Sequence, residues 1–156
     1  MPKEEKIQVP RFDAKSGFAT TAQRSRMMGQ VRGKETQPEI LFRKALWNMG
    51  IRYRKNCRRL PGRPDVAIQK YKLAIFIDGE FWHGYNWKEK KATIKTNRDF
   101  WIPKIERNMQ RDREVGAQLE AMGYTVIRFW EHQLKKSLPS CLAIVLGFVN
   151  GRRVTS

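Results

Sequence analysis

The chain has 156 residues, with 32 Lys+Arg against 15 Asp+Glu, a formal net charge of +17. That length suits one domain with a proper core and is too short for two comfortable ones, and the positive excess points to a polyanionic partner, nucleic acid above all. A membrane is set aside: no apolar run of about 18 residues, no signal peptide and no basic amphipathic segment with a clean apolar face is visible. Cys57 and Cys141 lie far apart without C-x-x-C spacing, so neither a disulfide framework nor a zinc ribbon is signalled, and a reducing cytoplasm fits.

Residues 1–20 mix charge with Pro10 and Gly17 and have few periodic apolar positions, which reads as a flexible basic arm. A single domain is expected over residues 21–150, with 151–156 as a tail. Its first stretch packs Arg24, Arg26, Arg32 and Lys34 around Met27, Met28 and Val31. This is either a segment that lays cations on phosphates with apolar tips between them, or a small capping helix over the core. Thr36, Pro38 and Glu39 then read as an N-cap, a first-turn proline and a carboxylate at the positive end of the helix dipole. The helix should run to about Met49 and stop at Gly50, with Ile40, Leu41, Ala45, Leu46 and Met49 on its buried side. Glu39 thus has a sufficient structural explanation; a functional one requires this helix start to lie against Asp65 and Asp78.

Residues 51–55 read as a first strand, followed by a basic loop and the rigid LPGRP turn, whose Arg63 either touches a phosphate or pairs with an acid. Short apolar runs at 66–69 and 73–77, joined by a polar 70–72 segment, read as a hairpin or meander. Asp65 opens the first strand and Asp78 closes the second. If the two are antiparallel neighbours, both carboxylates lie at the same end of the pair, an arrangement of oxygen ligands that suits Mg²⁺; each is also an ordinary strand-end turn residue. Glu80, Phe81, Trp82 and His83 follow directly. His83 suits a general base, or a packing role. Phe81 and Trp82 either start a core or leave a ring exposed to stack on a base or wedge between base steps.

Residues 84–101 are polar and lysine-rich, expected as a long exposed loop in which Asn97 caps a short turn through Trp101. Pro103 kinks or restarts a helix that should end at Gly123, with Ile105, Met109, Val115, Leu119 and Met122 as its apolar stripe. Asp112 lies off that stripe, either as a surface partner for an arginine or orienting His83. Residues 124–130 form the last strand, and 138–149 a closing helix on the back of the sheet. The order helix, three strands, helix, strand, helix gives an α/β sandwich around a mixed central sheet.

The segments PGRPD, FIDGEFWHG, FW at Phe100–Trp101, NMQRD at Asn108–Asp112 and FWEH at Phe129–His132, in this order, resemble the very-short-patch repair endonuclease family over about residues 21–135. The resemblance implies a restriction-endonuclease-like three-layer fold and a Mg²⁺-dependent nuclease that nicks one strand of double-stranded DNA at a T·G mismatch. Asp65 looks like the central metal ligand, His83 like the general base, Asp112 like the carboxylate supporting it, and Glu39 like the helix-borne acid that holds a metal-bound water. Phe81 and Trp82 look like the wedge entering the duplex and Met28 like the insertion from the N-terminal segment. Family members also carry a second histidine where this chain has Asp78, and a structural zinc. The corresponding positions here, Glu80, Tyr85, Trp87 and His132, are a poor set for Zn²⁺, so no structural zinc is expected.

The expected chemistry is phosphodiester hydrolysis, with Asp65 and Asp78 holding one or two Mg²⁺ ions and His83 deprotonating water. Arg24, Arg26 and Arg63 would contact DNA, and a monomer suffices for nicking one strand in the cytoplasm or on the nucleoid. Two readings compete with mismatch repair: a same-fold restriction- or homing-type endonuclease acting on matched DNA, and a catalytically inactive DNA-binding protein.

Overall fold

The β-branched run between the LPGRP turn and Gly79 forms the middle of a four-stranded sheet in the computed structural model, which describes residues 4–24 and 36–154. The expected contacts of Arg26 and Met28 lie outside the described residues. Strands β1 (Arg54–Lys55), β2 (Val66–Ile68) and β3 (Leu73–Asp78) pair antiparallel, and β4 (Thr125–Trp130) joins β3 in parallel. The sheet is therefore mixed, in the order β1-β2-β3-β4. Of the first strand expected over 51–55 only Arg54 and Lys55 pair, while Ile51 is drawn into the core. A 3-10 turn over Gln69–Tyr71 closes the β2–β3 connection, with Lys72 left-handed at φ 49°.

Helices α1 (Gln37–Asn48), α2 (Trp87–Thr93), α3 (Arg98–Ala121) and α4 (Glu131–Val154) complete the order. Parallel pairing of β3 with β4 needs a long crossover, and α2 and α3 supply it. Helix α2 was not expected: it lies inside the segment read as a loop, because its lysine-rich sequence carries no apolar stripe and it buries no residue. Pro103 does not break α3, which runs through it. The closing helix is two segments meeting at Ser137 (φ −150°, ψ 60°), where Ser137 Oγ donates to Ser140 Oγ at 2.7 Å just ahead of the second segment.

The chain divides into two compact units, one of residues 1–32 with 80–114 and one of 33–79 with 115–156. In the second, the two faces of the sheet are covered by different partners. Val66, Ile68, Leu73, Ile75, Ile127 and Phe129 pack with Phe42 and Leu46 of α1 and with Cys141, Val145 and Val149 of α4. Ala67, Ala74 and Phe76 face the other way, onto Leu60 and onto Val115 and Leu119 of α3. This helix–sheet–helix layering is the restriction-endonuclease-like α/β sandwich expected from the element order. Cys57 and Cys141 are free thiols in opposite layers.

The buried face of α1 differs from expectation. Leu41 and Met49 are exposed, while Pro38, Glu39, Phe42, Arg43 and Leu46 are buried. The true inward stripe, 39-42-43-46, has helical spacing but carries an acid and a base, so a hydrophobic period places the face one step away. Met122, expected on the stripe of α3, is likewise exposed. In the first unit, fully buried Gln110 of α3 donates to the Glu5 carbonyl at 2.7 Å and accepts from the Ile7 N–H at 3.0 Å. One side-chain amide thereby satisfies the backbone of the N-terminal segment as a neighbouring strand would.

The LPGRP turn sets the approach of the chain to Asp65. Gly62 has φ +73°, and a Cβ there would lie 2.5 Å from Val115 Cγ1. Both the backbone region and the contact require glycine. Gly62→Ala is expected to destabilise the fold by about 2–4 kcal/mol in urea denaturation, with Val115→Ala in the same chain recovering only the steric part. A change within about 0.5 kcal/mol would contradict this role.

Candidate active site

The site's carboxylates are delivered by strand pairing in the second unit. With Val66 opposite Ile75, Asp65 at the head of β2 and Asp78 at the foot of β3 fall at the same end of the sheet. Asp65 Oδ2 accepts the Ile77 N–H at 2.7 Å, which fixes the carboxylate against the next strand. Glu39, 2% exposed, caps α1 by accepting the Thr36 N–H at 3.2 Å, lies 3.8 Å from Arg43 Nη1, and also hydrogen bonds to Asp65. The helix start therefore lies against Asp65, the condition under which Glu39 has more than a capping role.

Burial and the Glu39 hydrogen bond push the Asp65 carboxyl from 3.8 up to about 8, with the charges of Glu39 and Asp78 adding to the rise and the Ile77 N–H opposing it. Crowding of the three acids thus favours the acid form of the Asp65 carboxyl. Asp78, 5% exposed, is paired with Arg128 of β4, whose Nη1 lies 3.1 and 3.3 Å from its two oxygens. The Arg128 guanidinium in turn lies 4.1 Å over the Phe76 ring. Sequence reasoning missed Arg128, although an arginine inside the buried run VIRFW was the available signal. Arg63 sits exposed in the turn between Pro61 and Pro64, at φ 50°.

In the first unit, His83 Nδ1 and Asp112 Oδ2 are 2.7 Å apart. Asp112 thus faces His83, as one of its two sequence readings requires. One turn earlier on α3, Asn108 Nδ2 donates to the Trp82 carbonyl at 2.9 Å. The i,i+4 pair Asn108 and Asp112 thus grips consecutive residues of the loop. In the neutral tautomer that donates Nδ1–H to the carboxylate, Nε2 carries the imidazole lone pair.

Phe81 and Trp82 do not stand alone. Their ring centroids are 5.1 Å apart, and Trp101 lies 5.4 and 5.7 Å from them. Phe81 remains 48% exposed, so the cluster presents a ring to solvent rather than closing a core. Trp101 was legible only as part of a quoted segment, not as a third ring of this group. Arg24 shares a surface cavity of about 280 Å³ with Phe81, Trp101 and Phe12. Glu80, Tyr85 and Trp87, with Phe81, Ile94 and Ile105, line another of about 360 Å³. Three of the four positions where the resemblance implies zinc ligands therefore wall a largely apolar space, and His132 lies in the first turn of α4. Among the described residues, no cysteine cluster with zinc spacing occurs.

The raised Asp65 carboxyl has a signed consequence for stability. The unfolded chain ionises this group near 3.8 and the folded chain near 8, so its contribution is present below the lower value and lost as pH rises through the upper one. In EDTA, Asp65→Asn should gain stability relative to the unsubstituted protein as pH rises, by on the order of 5 kcal/mol above the upper value. Urea midpoints across that range measure it, and a difference independent of pH would contradict the assignment.

The family model described as DNA mismatch endonuclease Vsr matches residues 16–89, a span holding Glu39, Asp65, Asp78 and His83. The type II nicking enzyme V.NmeDIP of Neisseria meningitidis serogroup C is 48% identical over 122 residues, covering 78% of this chain and 82% of the relative. The type II nicking enzyme V.HpaIIP of Haemophilus parainfluenzae is 49% identical over 119 residues, 76% of this chain and 84% of the relative. The DNA mismatch endonuclease Vsr of Escherichia coli (strain K12) is 33% identical over 114 residues, 73% of this chain and 72% of the relative. By identity and by coverage on both sides, the chain belongs to the Vsr family and is an endonuclease.

Proposed function

We propose that the protein is a divalent-cation-dependent endonuclease that nicks one strand of duplex DNA at a defined site. The observation that carries this reading is the carboxylate edge of Asp65, Glu39 and Asp78. The relatives named as type II nicking enzymes support the one-strand outcome. The donors at this edge are all oxygen, and the proton held by Asp65 marks negative charge in excess, a combination that fits a hard cation such as Mg²⁺. Asp65 and Asp78 would hold the ion, with Glu39 completing the set through its bond to Asp65. Bound there, Mg²⁺ would offset charge developing on the scissile phosphate and the leaving oxygen.

His83 is the proposed general base. Asp112 keeps Nδ1 protonated and the ring oriented, so Nε2 takes the proton of the attacking water, and the Asp112 carboxylate stabilises the imidazolium that results. Arg24 and Arg63 are proposed to hold the DNA backbone, in keeping with the net charge of +17. Among the described residues, no helix is long and apolar enough to cross a membrane.

A second reading, in which a T·G mismatch triggers the nick, is favoured by the exposed Phe81 ring backed by Trp82 and Trp101. Rings wedged between base steps cost a few kcal/mol of unstacking, least where pairing is weakest.

End-labelled duplexes, matched and carrying one T·G pair, test both readings. Mg²⁺-dependent nicking of the two alike supports site-specific action on matched DNA, and nicking confined to the mismatched duplex supports the second reading. Asp65→Ala should lose at least about 10³-fold in rate, and His83→Ala between about 10² and 10⁴-fold. Cutting that persists in either variant at the unsubstituted rate, or in EDTA, would sink the assignment.

A further inference from the structure

We propose that Arg128 is a resident counter-ion for Asp78, competing with the divalent cation for that carboxylate and so setting how tightly the site binds metal. The inference rests on the reading of Asp65 and Asp78 as cation ligands.

The parallel register places Arg128 of β4 beside Phe76 and Trp130 beside Asp78. Residues two apart on a strand share a face, so Phe76 and Asp78 project to the same side of the sheet. The Arg128 side chain lies along this face. Its guanidinium stacks over Phe76 at 4.1 Å, and Nη1 spans both oxygens of Asp78 at 3.1 and 3.3 Å.

The side chain of Asp78 is only 7% exposed and that of Arg128 26%. A carboxylate so buried is costly without a cation, and the guanidinium supplies one that does not deprotonate at any working pH. The aromatic stack and the strand register fix it in place, so neither needs a loop to close. A carboxylate oxygen can hold a metal ion and accept a hydrogen bond together, but the guanidinium charge beside both oxygens lowers the negative potential they offer to the ion. Arg128 and the ion therefore oppose one another electrostatically at Asp78, and the effect of the guanidinium charge is subtracted from the affinity of the ion.

A plain structural ion pair at a strand end would show the same distances but would be indifferent to metal. Calorimetric titration of Ca²⁺ and Mg²⁺ into the full chain, at alkaline pH where the carboxylates are ionised, separates the two. Arg128→Met keeps an unbranched side chain over Phe76 and removes the charge. It should bind either ion on the order of tenfold more tightly. Arg128→Lys, which retains the charge, should stay within about threefold of the unsubstituted protein.

Asp65→Asn serves as the control on the underlying reading. If that variant binds the ions as the unsubstituted protein does, the proposed metal site itself fails. If it loses binding while Arg128→Met is unchanged or weaker, the metal site stands and the counter-ion role of Arg128 is overturned. Should Arg128→Met not fold, the Arg128 Nε–Hε resonance of the unsubstituted protein gives the answer. It should shift on Ca²⁺ addition, and a resonance that stays still in a protein that binds Ca²⁺ overturns the proposal.

Discussion

The antiparallel pairing of β2 with β3 is the constraint on which the carboxylate edge depends. Because the strands run in opposite directions, the residue before one and the last residue of the other meet at a single end, and both are aspartates. The third acid arrives by a different route, as the first-turn carboxylate of α1, whose helix is anchored by Phe42 and Leu46 in the core. Three acids held this way repel one another. The molecule relieves the repulsion locally, with the Asp65 carboxyl drawn toward its acid form, an arginine near Glu39 and an arginine on Asp78. Each of these is a charge that a bound cation would compete with.

The other half of the proposed chemistry, His83 with Asp112, is built by helix geometry rather than strand pairing. Asn108 and Asp112, one turn apart on α3, take hold of the Trp82 carbonyl and the His83 ring. Gln110, between them in sequence, faces the opposite way and binds the backbone of residues 5 and 7. A single helix therefore orients the histidine on one side and secures the N-terminal segment on another. The aromatic rings belong to the same unit, with Phe81 and Trp82 from the loop and Trp101 from the start of α3.

Much of this was legible in the sequence because local signals agreed. The runs around 66–78 are β-branched and bounded by turn residues, so both strands follow from pattern alone, and the shared end of Asp65 and Asp78 follows once the two are antiparallel neighbours. The Thr36–Pro38–Glu39 start of α1 follows from capping chemistry. Its buried face did not, because Glu39 and Arg43 point inward and a hydrophobic period cannot see a buried polar pair. Helix α2 was hidden for the complementary reason: seven residues with no buried side chain leave no periodicity to read. Arg128 required knowing the β3–β4 register, a non-local fact, whereas the pairing of Asp112 with His83, 29 residues away, was one of two readings the sequence left open.

The crowded carboxylates favour the acid form of Asp65, and a cation bound there would displace that proton. Calorimetry of Mg²⁺ binding near neutral pH, repeated in buffers of different ionisation enthalpy, counts the protons released. Displacement of the Asp65 proton predicts release of close to one proton per ion bound, falling toward zero above about pH 8 and absent in Asp65→Asn. Mg²⁺ binding with no proton release at neutral pH would contradict it.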